Sequence, residues 1–319
     1  MTAEPTLASI REAHARILPY VHRTAVLTSG SFDALVGGGV HFKCETFQKG
    51  GAFKARGAHN AVFRLTDAQA SRGVVTHSSG NHGAAVALAA RNRGIPAFIV
   101  MPRNASQAKK RAVERYGGRV TLCEPTQESR ERTAERLRAE TGARFVHPYD
   151  DPDVIAGQGT IALELLETVP YLDVIVCPVG GGGLVSGVAV AAKGIRPGIE
   201  IVGAEPAAAD DAAQSLRAGR LIRIEEAATI ADGLRSASLG KLPYALVREH
   251  VCGIFTASES AIVRAMRLIW EVLKIVIEPS SAVPVAVLLE GALSVRGRNV
   301  GVVLSGGNVD LDRLPWLAA

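Results

Sequence analysis

The chain has 319 residues, of which 47% are hydrophobic and 21% are charged. This composition is that of a globular protein with a substantial core, and it excludes a disordered or low-complexity chain. The formal net charge is +5, but the basic residues are scattered and alternate with acids, so the sequence gives no indication of nucleic-acid binding.

The first candidate for chemistry along the chain is Lys54, which lies in a small, apolar and glycine-rich segment. A lysine that is desolvated near other cations loses proton affinity and becomes an amine nucleophile able to form a Schiff base. The alternative is a solvated lysine that opens a helix after Gly50 and Gly51, with Arg56 beside it on the surface. The segment alone favours this alternative, because most lysines are solvated.

Short apolar strands alternate with longer helices downstream of this segment. Such alternation predicts an α/β fold, in which a parallel sheet carries helices on both faces. Ligands then bind at the carboxyl ends of the strands. The pattern predicts strands over 73–77, 97–101 and 119–123 and helices over 81–92, 105–116 and 129–141.

A polar loop follows the first of these strands and starts a helix. Ser78, Ser79, Asn81 and His82 lie in this loop, which offers two hydroxyls, an amide and exposed N–H groups at one helix start. Such a group suits a carboxylate ligand, because the amino end of a helix favours negative charge. An ordinary N-cap is the alternative, and it accounts for one polar residue but not for the whole cluster.

A second set of alternations starts near Val154. Each of the two regions has the pattern of a domain, and a cleft is expected between them. The turn chemistry of residues 149–152 predicts the boundary. The second set predicts strands over 174–177, 200–204, 253–256 and 300–304.

Four successive glycines, Gly180, Gly181, Gly182 and Gly183, come after an apolar strand and open an alanine-rich helix. Their N–H groups can converge on an anion without side-chain obstruction, and the helix start adds a positive dipole. The loop fits neither the nucleotide P-loop nor the dinucleotide pattern. A flexible turn is the alternative, but four glycines there would cost conformational entropy without a gain. We therefore predict a phosphate-binding loop.

The last strand leads into a third loop that begins with Ser305. A serine hydroxyl at the end of a strand can meet a ring nitrogen, and the alternative is a glycine turn that the serine caps. Together, the candidate Schiff-base lysine, phosphate loop, carboxylate loop and serine require one ligand with an aldehyde, a phosphate and a ring nitrogen. Pyridoxal 5'-phosphate (PLP) satisfies all of these requirements.

At these motifs the sequence resembles the serine racemase and serine/threonine dehydratase group of fold type II PLP enzymes, which includes the 3-hydroxyaspartate dehydratases. The resemblance runs from about residue 25 to about residue 310, and four separate motifs occur in family order. It implies a tryptophan synthase β-like fold with two open twisted sheets flanked by helices, and a homodimer. It also implies a large PLP-binding domain of residues 1–72 and 151–319 and a small substrate-closing domain of residues 73–150.

The resemblance assigns a role to each motif. Lys54 would carry the Schiff base, and Ser79 would carry a proton on the opposite face of the cofactor. The α-carboxylate of the substrate would bind Ser78, Asn81 and His82. The remaining cofactor contacts would be Phe53 near the ring, Asn81 at the 3'-oxygen, Ser305 at the ring nitrogen, and Gly180, Gly181, Gly182 and Gly183 at the phosphate.

Ser305 bears on the reaction, because a serine need not keep the ring nitrogen protonated and the cofactor is then a weaker electron sink. Removal of the α-proton is best coupled to loss of a β-hydroxyl. We therefore expect dehydration of an L-β-hydroxy amino acid (3-hydroxyaspartate, serine or threonine) to a 2-oxo acid and ammonia, with Lys54 as the α-proton base. The alternative within the family is a serine or aspartate racemase that uses Lys54 and Ser79 as a two-face acid–base pair.

The resemblance also implies a divalent cation at Glu205, Asp211 and the Ala209 carbonyl, which are the hard oxygen ligands that Mg²⁺, Ca²⁺ or Mn²⁺ prefers. An acidic solvated turn is the alternative. Arg130 lies where the resemblance places an arginine near the substrate side chain, and it could pair with a second carboxylate. An arginine on a helix surface is the alternative there.

Two positions depart from the animal racemases, since Ala84 and Tyr149 replace Gln and Asn. Both departures argue against ATP activation and efficient racemisation. A cysteine-synthase-like transferase shares the fold, but that family usually carries Asn after the lysine, and Ala55 stands here. A non-catalytic amino-acid-binding protein is expected to have lost Lys54 or Ser79, and both are present.

The cysteines and the N-terminus bear on location. Cys44, Cys123, Cys177 and Cys252 are widely separated, which favours free thiols in a reducing compartment. No signal peptide is evident at the start, and no apolar run is long enough to span a bilayer. We expect a cytoplasmic protein whose partners are small molecules.

Overall fold

The computed structural model describes residues 4–78, 80–105, 107–225 and 227–317, and it has an α/β architecture with two separate sheets. The predicted α/β fold with two sheets flanked by helices is confirmed. The strands are β1 Val26–Thr28, β2 Gly39–Cys44, β3 Val74–His77, β4 Ala97–Pro102, β5 Arg119–Cys123, β6 Arg144–Phe145, β7 Val174–Pro178, β8 Glu200–Pro206, β9 Gly253–Ala257 and β10 Asn299–Leu304.

Helices cover both sheets, and several follow a strand directly. Within the described ranges, none of them combines the length and the apolar character that crossing a membrane requires. The helices are α1 Leu7–Ile17, α2 Gly30–Val36, α3 Lys54–Phe63, α4 Asp67–Ala70, α5 Asn81–Arg93, α6 Gln107–Arg115, α7 Gln127–Thr141, α8 Pro152–Thr168, α9 Gly183–Ile195, α10 Asp211–Ala218, α11 Lys241–His250, α12 Glu259–Leu273 and α13 Pro279–Leu289.

The larger sheet has six strands in the order β1-β2-β10-β7-β8-β9, and all its pairs are parallel except β1 with β2. Both faces are buried, as is usual for a mainly parallel sheet. Side chains alternate along β7, so that Val174 and Val176 pack in one core while Ile175 and Cys177 pack in another. The sheet therefore separates two apolar cores.

The smaller sheet has four parallel strands in the order β5-β4-β3-β6. All four residues of β3 are buried. Helices α3 and α5 pack on one face, where Val62 and Val86 share a core cluster with Ile99 of β4, and α7 packs on the other through Ala134. Helix α3 also contacts α8, which belongs to the core of the larger sheet, so α3 lies between the two layers.

Glycines let the helices between the two sheets approach each other closely. A Cβ placed on Gly157 of α8 would lie 2.5 Å from the Gly57 Cα of α3. Two residues further along, on the other side of α8, a Cβ on Gly159 would lie 2.7 Å from the Gly187 carbonyl oxygen of α9. Real Cβ atoms do not approach other atoms so closely, so these backbones are in direct contact. Helix α8 thereby sets the spacing between α3 and α9.

Candidate active site

Lys54 begins α3 and reaches toward the segment that leaves the smaller sheet. The backbone amide of Phe53 donates to the Ser305 carbonyl (3.0 Å), which ties the start of α3 to the end of β10. The Lys54 Nζ donates a hydrogen bond of 2.7 Å to the Pro148 carbonyl, and it lies 5.0 Å from the centre of the Phe53 ring. The ammonium group is therefore held between the two sheets and is not on the surface.

This position changes the acidity of the lysine. Burial lowers the pKa of Lys54 to about 8, and the negative charge of Glu278 opposes that shift. A lysine with such a pKa is partly neutral near pH 7 to 8, and only the neutral amine is a nucleophile or a base. The side chain is thus suited to the Schiff-base chemistry predicted for it.

The glycine loop connects β7 to α9 and is enclosed by its neighbours. Gly182 has a φ of +88°, a left-handed conformation that glycine adopts at little cost. A Cβ at Gly182 would lie 2.7 Å from Leu239, and a Cβ at Gly181 would collide with the Tyr149 ring. Because α9 begins at Gly183, the first amides of that helix face the loop without intrahelical acceptors. The loop has the geometry of an anion site.

The polar loop that follows β3 contacts the larger sheet's side of the cavity through Asn81. Ser78 accepts a hydrogen bond from the Gly80 amide (3.2 Å). The Asn81 side-chain amide donates to both oxygens of Glu278 (2.9 and 3.1 Å), and its oxygen accepts from Asn308 (2.9 Å). The start of α5 is therefore fixed against the larger sheet. Ser79, the predicted second proton carrier, lies outside the described residues.

His82 is fully enclosed, and its side chain is not arranged to donate to a substrate. Its Nε2 lies 3.2 Å from the Val146 carbonyl oxygen, which can only accept, so Nε2 carries the proton. Nδ1 is buried without a partner among the described residues. Burial lowers the pKa of His82 well below its ordinary value. A carboxylate would therefore meet the backbone amide of His82 at the start of α5, not the ring.

Ser305 is buried at the end of β10 and belongs to a hydroxyl pair. Its Oγ lies 3.1 Å from the Oγ of Ser281, which donates to the Gly306 carbonyl (2.6 Å) and accepts from the Gly306 amide (2.7 Å). Ser281 stands in the first turn of α13. The position of the Ser305 hydroxyl is thus set by both β10 and α13.

A cavity of about 750 Å³ joins these groups. The residues of the predicted cation site do not line this cavity, whereas Tyr149, His77 and His147 do. Of the residues predicted from the sequence, it is lined by Phe53, Lys54, Ser78, Asn81, His82, Arg130, Gly180, Gly181, Gly182, Gly183 and Ser305.

Arg130 lies in the first turns of α7 and points into this cavity from the smaller sheet. Its Nε is buried and has no hydrogen-bond partner among the described residues. A buried guanidinium nitrogen without a partner is costly unless a ligand satisfies it. The alternative of a helix-surface arginine does not fit this position.

The predicted cation site lies at the end of β8, where Glu205 and Asp211 are fully buried. Glu205 accepts from the amides of Ala212 (3.2 Å) and Ala213 (2.9 Å), whereas both Asp211 oxygens lack a partner among the described residues. Burial, with the Asp211 charge in addition, raises the pKa of Glu205 to about 9, and burial raises that of Asp211 to about 7.

Two buried carboxylates, one of them without partners, fit a cation and not a solvated turn. The buried Ala209 stands between them in the chain. The described residues contain no group of three His, Cys, Asp or Glu side chains that could hold a metal ion. A cation here would accordingly need backbone oxygen or water to complete its ligands.

Arg56 is the main residue whose position in the structure differs from the one considered in the sequence analysis. It is fully buried and donates to Glu45 (2.7 and 2.9 Å) and to Glu164 (2.7 and 2.8 Å), while Lys43 donates to Glu164 at 2.6 Å. Two cations and two anions are thus paired, with bidentate geometry at the guanidinium. The surface position considered for Arg56 is wrong. This ion quartet joins β2, α3 and α8 directly behind Lys54.

Glu278 is a site residue for which no motif was recognised. It is the N-cap of α13 and lines the cavity next to Asn81 and Lys54. The available signal was an acid between an apolar residue, Ile277, and Pro279, which is a typical helix start. That signal indicates the helix but not the contact with Asn81.

Comparisons with known proteins agree with this site. Residues 17–306 match the model of the family described as "Pyridoxal-phosphate dependent enzyme". A β-hydroxyaspartate dehydratase of Paracoccus denitrificans is 53% identical over 98% of this chain and 99% of its own. A serine racemase of Oryza sativa subsp. indica is 54% identical over 95% of this chain and 91% of its own.

The structure of maize serine racemase superposes with a TM-score of 0.96 and 52% identity, covering 99% of this chain and 97% of that one. The chain belongs to the pyridoxal-phosphate dependent enzyme family, with fold type II architecture. The resemblance to the serine racemase and dehydratase group, predicted from four motifs, is confirmed.

Proposed function

We propose that this enzyme dehydrates an L-β-hydroxy amino acid to a 2-oxo acid and ammonia with PLP as its cofactor. The observation that carries the proposal is the partly neutral amine of Lys54, held by Pro148 in a cavity where the glycine loop, the start of α5 and Ser305 converge. The similarity to a β-hydroxyaspartate dehydratase supports the reaction type.

The groups that line the cavity suit the chemistry of PLP. Lys54 would bind the aldehyde, and Ser305 would meet the ring nitrogen. Asn81, whose side-chain amide donates to Glu278 in this structure, would meet the 3'-oxygen, and Phe53 would lie near the ring. The loop of Gly180, Gly181, Gly182 and Gly183 would hold the phosphate. When bound, PLP supplies the electron sink that makes the α-proton of the substrate acidic.

The chain's own groups would then perform the proton transfers. The backbone amides at the start of α5, near Asn81 and His82, together with Ser78, would bind the α-carboxylate. The amine of Lys54, freed when the substrate amine takes its place, would remove the α-proton as general base. The β-hydroxyl would then take up a proton and leave as water, so that the α-hydrogen and the hydroxyl are lost together as one H₂O. The released enamine tautomerises to an imine, which takes up one water to give the 2-oxo acid and ammonia.

Racemisation is the second candidate, because relatives with 54% identity are serine racemases. In that reaction Lys54 and Ser79 would act on opposite faces of the α-carbon, and the product would keep its hydroxyl and amine. The two reactions share the first proton transfer. They differ in whether Ser79 returns a proton before the hydroxyl leaves.

The proposal includes a divalent cation, Mg²⁺, Ca²⁺ or Mn²⁺, held by Glu205, Asp211 and the Ala209 carbonyl. The buried Asp211 oxygens without partners support it. Titration calorimetry with Mg²⁺ should show binding to the wild type and none to Asp211→Asn. The matched control is Asp210→Asn, since Asp210 bonds Gln214 and Arg217 instead and its replacement should leave binding intact. Equal Mg²⁺ binding by all three proteins would refute the site.

The proposal also covers the domain organisation, the oligomeric state and the cellular location. The smaller sheet would close over the substrate as a domain of residues 73–150, against a large domain of residues 1–72 and 151–319. The enzyme would work as a homodimer, as its family resemblance implies. It would be cytoplasmic, which the free state of Cys44, Cys123, Cys177 and Cys252 supports.

A substrate panel tests the reaction. The PLP-loaded enzyme is incubated with L-serine, D-serine, L-threonine and both 3-hydroxyaspartate diastereomers, and 2-oxo acid, ammonia and the opposite enantiomer are measured separately. Equal amounts of 2-oxo acid and ammonia are expected from at least one L-substrate. Formation of the enantiomer without 2-oxo acid would make the enzyme a racemase, and no product from any substrate would refute both reactions.

A further inference from the structure

A second serine, Ser281, lies directly behind Ser305. Ser281 is fully buried in the first turn of α13 and does not line the cavity of Lys54, whereas Ser305 does. The two Oγ atoms are 3.1 Å apart. Ser281 can therefore act on a ligand in the cavity through Ser305.

The hydrogen bonds of Ser281 fix the direction of the proton between the two hydroxyls. A hydroxyl has one proton to donate and two lone pairs that accept. The Gly306 carbonyl can only accept, so the Ser281 proton goes to it, with 2.6 Å between the oxygens. The Gly306 amide can only donate, and it occupies one Ser281 lone pair at 2.7 Å. One lone pair is left, so Ser305 is the donor in the contact between the two serines.

Ser305 consequently offers lone pairs, not a proton, to the cavity. Its single proton is directed at Ser281. A pyridine nitrogen without a proton is itself only an acceptor, and a lone pair opposite it leaves both groups unsatisfied. A protonated ring nitrogen is a donor and pairs with Ser305 directly. The hydroxyl pair therefore favours a protonated ring.

The charges around this hydroxyl pair favour a protonated ring as well. A Cβ on Gly306 would lie 3.0 Å from Oε1 of Glu278, and a carboxylate so close stabilises a cation beside it. Lys54 is the opposing charge, but burial lowers its pKa to about 8. Asp232 also lines the cavity and is exposed to solvent. Cys44, at the end of the neighbouring strand β2, stays a neutral thiol, because burial raises its pKa to about 12.

We propose that Ser281 makes Ser305 a hydrogen-bond acceptor toward PLP and so keeps the ring nitrogen of the bound cofactor protonated. This inference rests on the proposed PLP-dependent function, and it reverses the weaker electron sink that Ser305 alone predicts. The ring takes its proton from solvent as the cofactor binds.

A protonated ring has a consequence for the reaction. It draws more electron density from the α-carbon, so removal of the α-proton need not be coupled to loss of the β-hydroxyl. Ser281 thereby makes racemisation chemically accessible to the site as well as dehydration.

Nitrogen NMR of PLP with an isotopically labelled ring nitrogen tests this role, because the chemical shift differs between the protonated and the unprotonated ring. The ring of the loaded wild type should be protonated at neutral pH. In Ser281→Ala the pH midpoint of the chemical-shift change should fall by roughly 0.5 to 1 unit, the size expected for one hydrogen bond. Ser281→Thr keeps a hydroxyl and should recover the wild-type midpoint.

Two further variants separate this role from a structural one, because Ser281→Ala also removes the hydroxyl that pairs with both backbone groups of Gly306. Ser280→Ala is the matched control, since Ser280 stands in the same turn but accepts from the Gly233 amide (3.1 Å), and it should keep the wild-type midpoint. In a Ser305→Ala background, Ser281→Ala should no longer move the midpoint. A midpoint that moves equally in Ser280→Ala, or that still moves in the Ser305→Ala background, would overturn the inference.

The same samples separate this inference from the proposed reaction. Visible absorbance of the loaded wild type that is absent in Lys54→Ala shows that PLP is bound at the lysine. A wild type with that absorbance but an unprotonated ring at neutral pH refutes the role of Ser281 and leaves the proposed function intact. A lowered midpoint in Ser281→Ala, in an enzyme that releases no 2-oxo acid from any substrate, supports the role of Ser281 and refutes the dehydratase function.

Discussion

Lys54 differs from a surface lysine in two measurable ways, its contact with the Pro148 carbonyl and its lowered pKa. Burial favours the neutral amine, and the carboxylate of Glu278 limits that effect. The balance leaves a side chain that can attack an aldehyde and then accept a proton within the same pH range. The nearby groups thus tune one residue for two tasks.

The pH dependence of cofactor capture follows from this pKa. When PLP is mixed with cofactor-free protein, the rate at which visible absorbance appears should rise with pH through a midpoint of about 8, because only the neutral amine attacks. Stopped-flow absorbance measures the rate. A midpoint near 10.5, the ordinary lysine value, would mean that Lys54 is solvated.

Replacement of Glu278 should move the same midpoint. The carboxylate raises the pKa of Lys54, so E278Q should shift the midpoint to lower pH. Glu290 is an acid in contact with Ser258 outside the cavity, so E290Q is the matched control and should leave the midpoint unchanged. An upward shift in E278Q would contradict the assignment of Glu278 as the acid beside the lysine.

The sequence predicted some of these residues and not others for a physical reason. The four glycines form a short local motif whose chemistry can be inferred from neighbours in the chain, whereas Lys54 was assigned its role only in combination with the distant loops. Arg56 depends on Glu164, which is 108 residues away, so its burial could not be inferred locally. Ser79 has no described position, and its role stays a prediction.

At the level of elements, the ion quartet of Lys43, Glu45, Arg56 and Glu164 holds a strand and two helices together. Each charge is at most 2% exposed, so none is stabilised by water. A buried ion pair adds little net stability when complete but is costly to break. The main effect of the quartet is therefore to fix the position of the start of α3, and with it the position of Lys54.

Arg56→Met should destabilise the enzyme by about 3–5 kcal/mol, since it leaves Glu45 and Glu164 with too few buried partners. Urea unfolding followed by circular dichroism gives the free energy. Arg64→Ala is the control, because Arg64 pairs with Asp153 while 56% exposed and should cost less than about 1 kcal/mol. Similar losses in both variants would argue against a special role for the quartet.

The glycine contacts of α8 give a second prediction for the elements. Gly157→Ala should force α3 away from α8 and cost about 1–3 kcal/mol of stability. Weaker PLP binding should accompany it, because α3 carries Lys54 and α9 follows the phosphate loop. Gly198→Ala, at a position with open space around the Cα, is the control. Equal PLP affinity in G157A and wild type, measured by absorbance titration, would refute the spacing role of α8.

The predicted strands and helices agree best with the structure where the sequence pattern is strong. The strand over 119–123 coincides with β5, whereas the helix over 129–141 begins two residues earlier, because the Thr126 hydroxyl caps it by accepting from the Ser129 amide. Strands β1, β2 and β6 were not predicted. β6 has only two residues, and β2 is recognised mainly by its pairing with the distant β10.

At the scale of the whole molecule, the order of the strands is what brings the motifs together. β10 lies between β2 and β7, so Ser305, Lys54 and the glycine loop meet although they are far apart in sequence. Alternating patterns predicted the α/β class, but they carry no information on strand order. The resemblance to a family supplied the two-sheet arrangement, and the structure confirms it.

The reaction itself is best tested by the release of 2-oxo acid from 3-hydroxyaspartate and L-serine by the PLP-loaded wild type and by Lys54→Ala. The proposed role of Lys54 as anchor and base predicts equimolar 2-oxo acid and ammonia from the wild type. It also predicts a rate lower by about a hundred- to ten-thousandfold in the variant, as for loss of a general base. A Lys54→Ala protein that releases 2-oxo acid at the wild-type rate would contradict it.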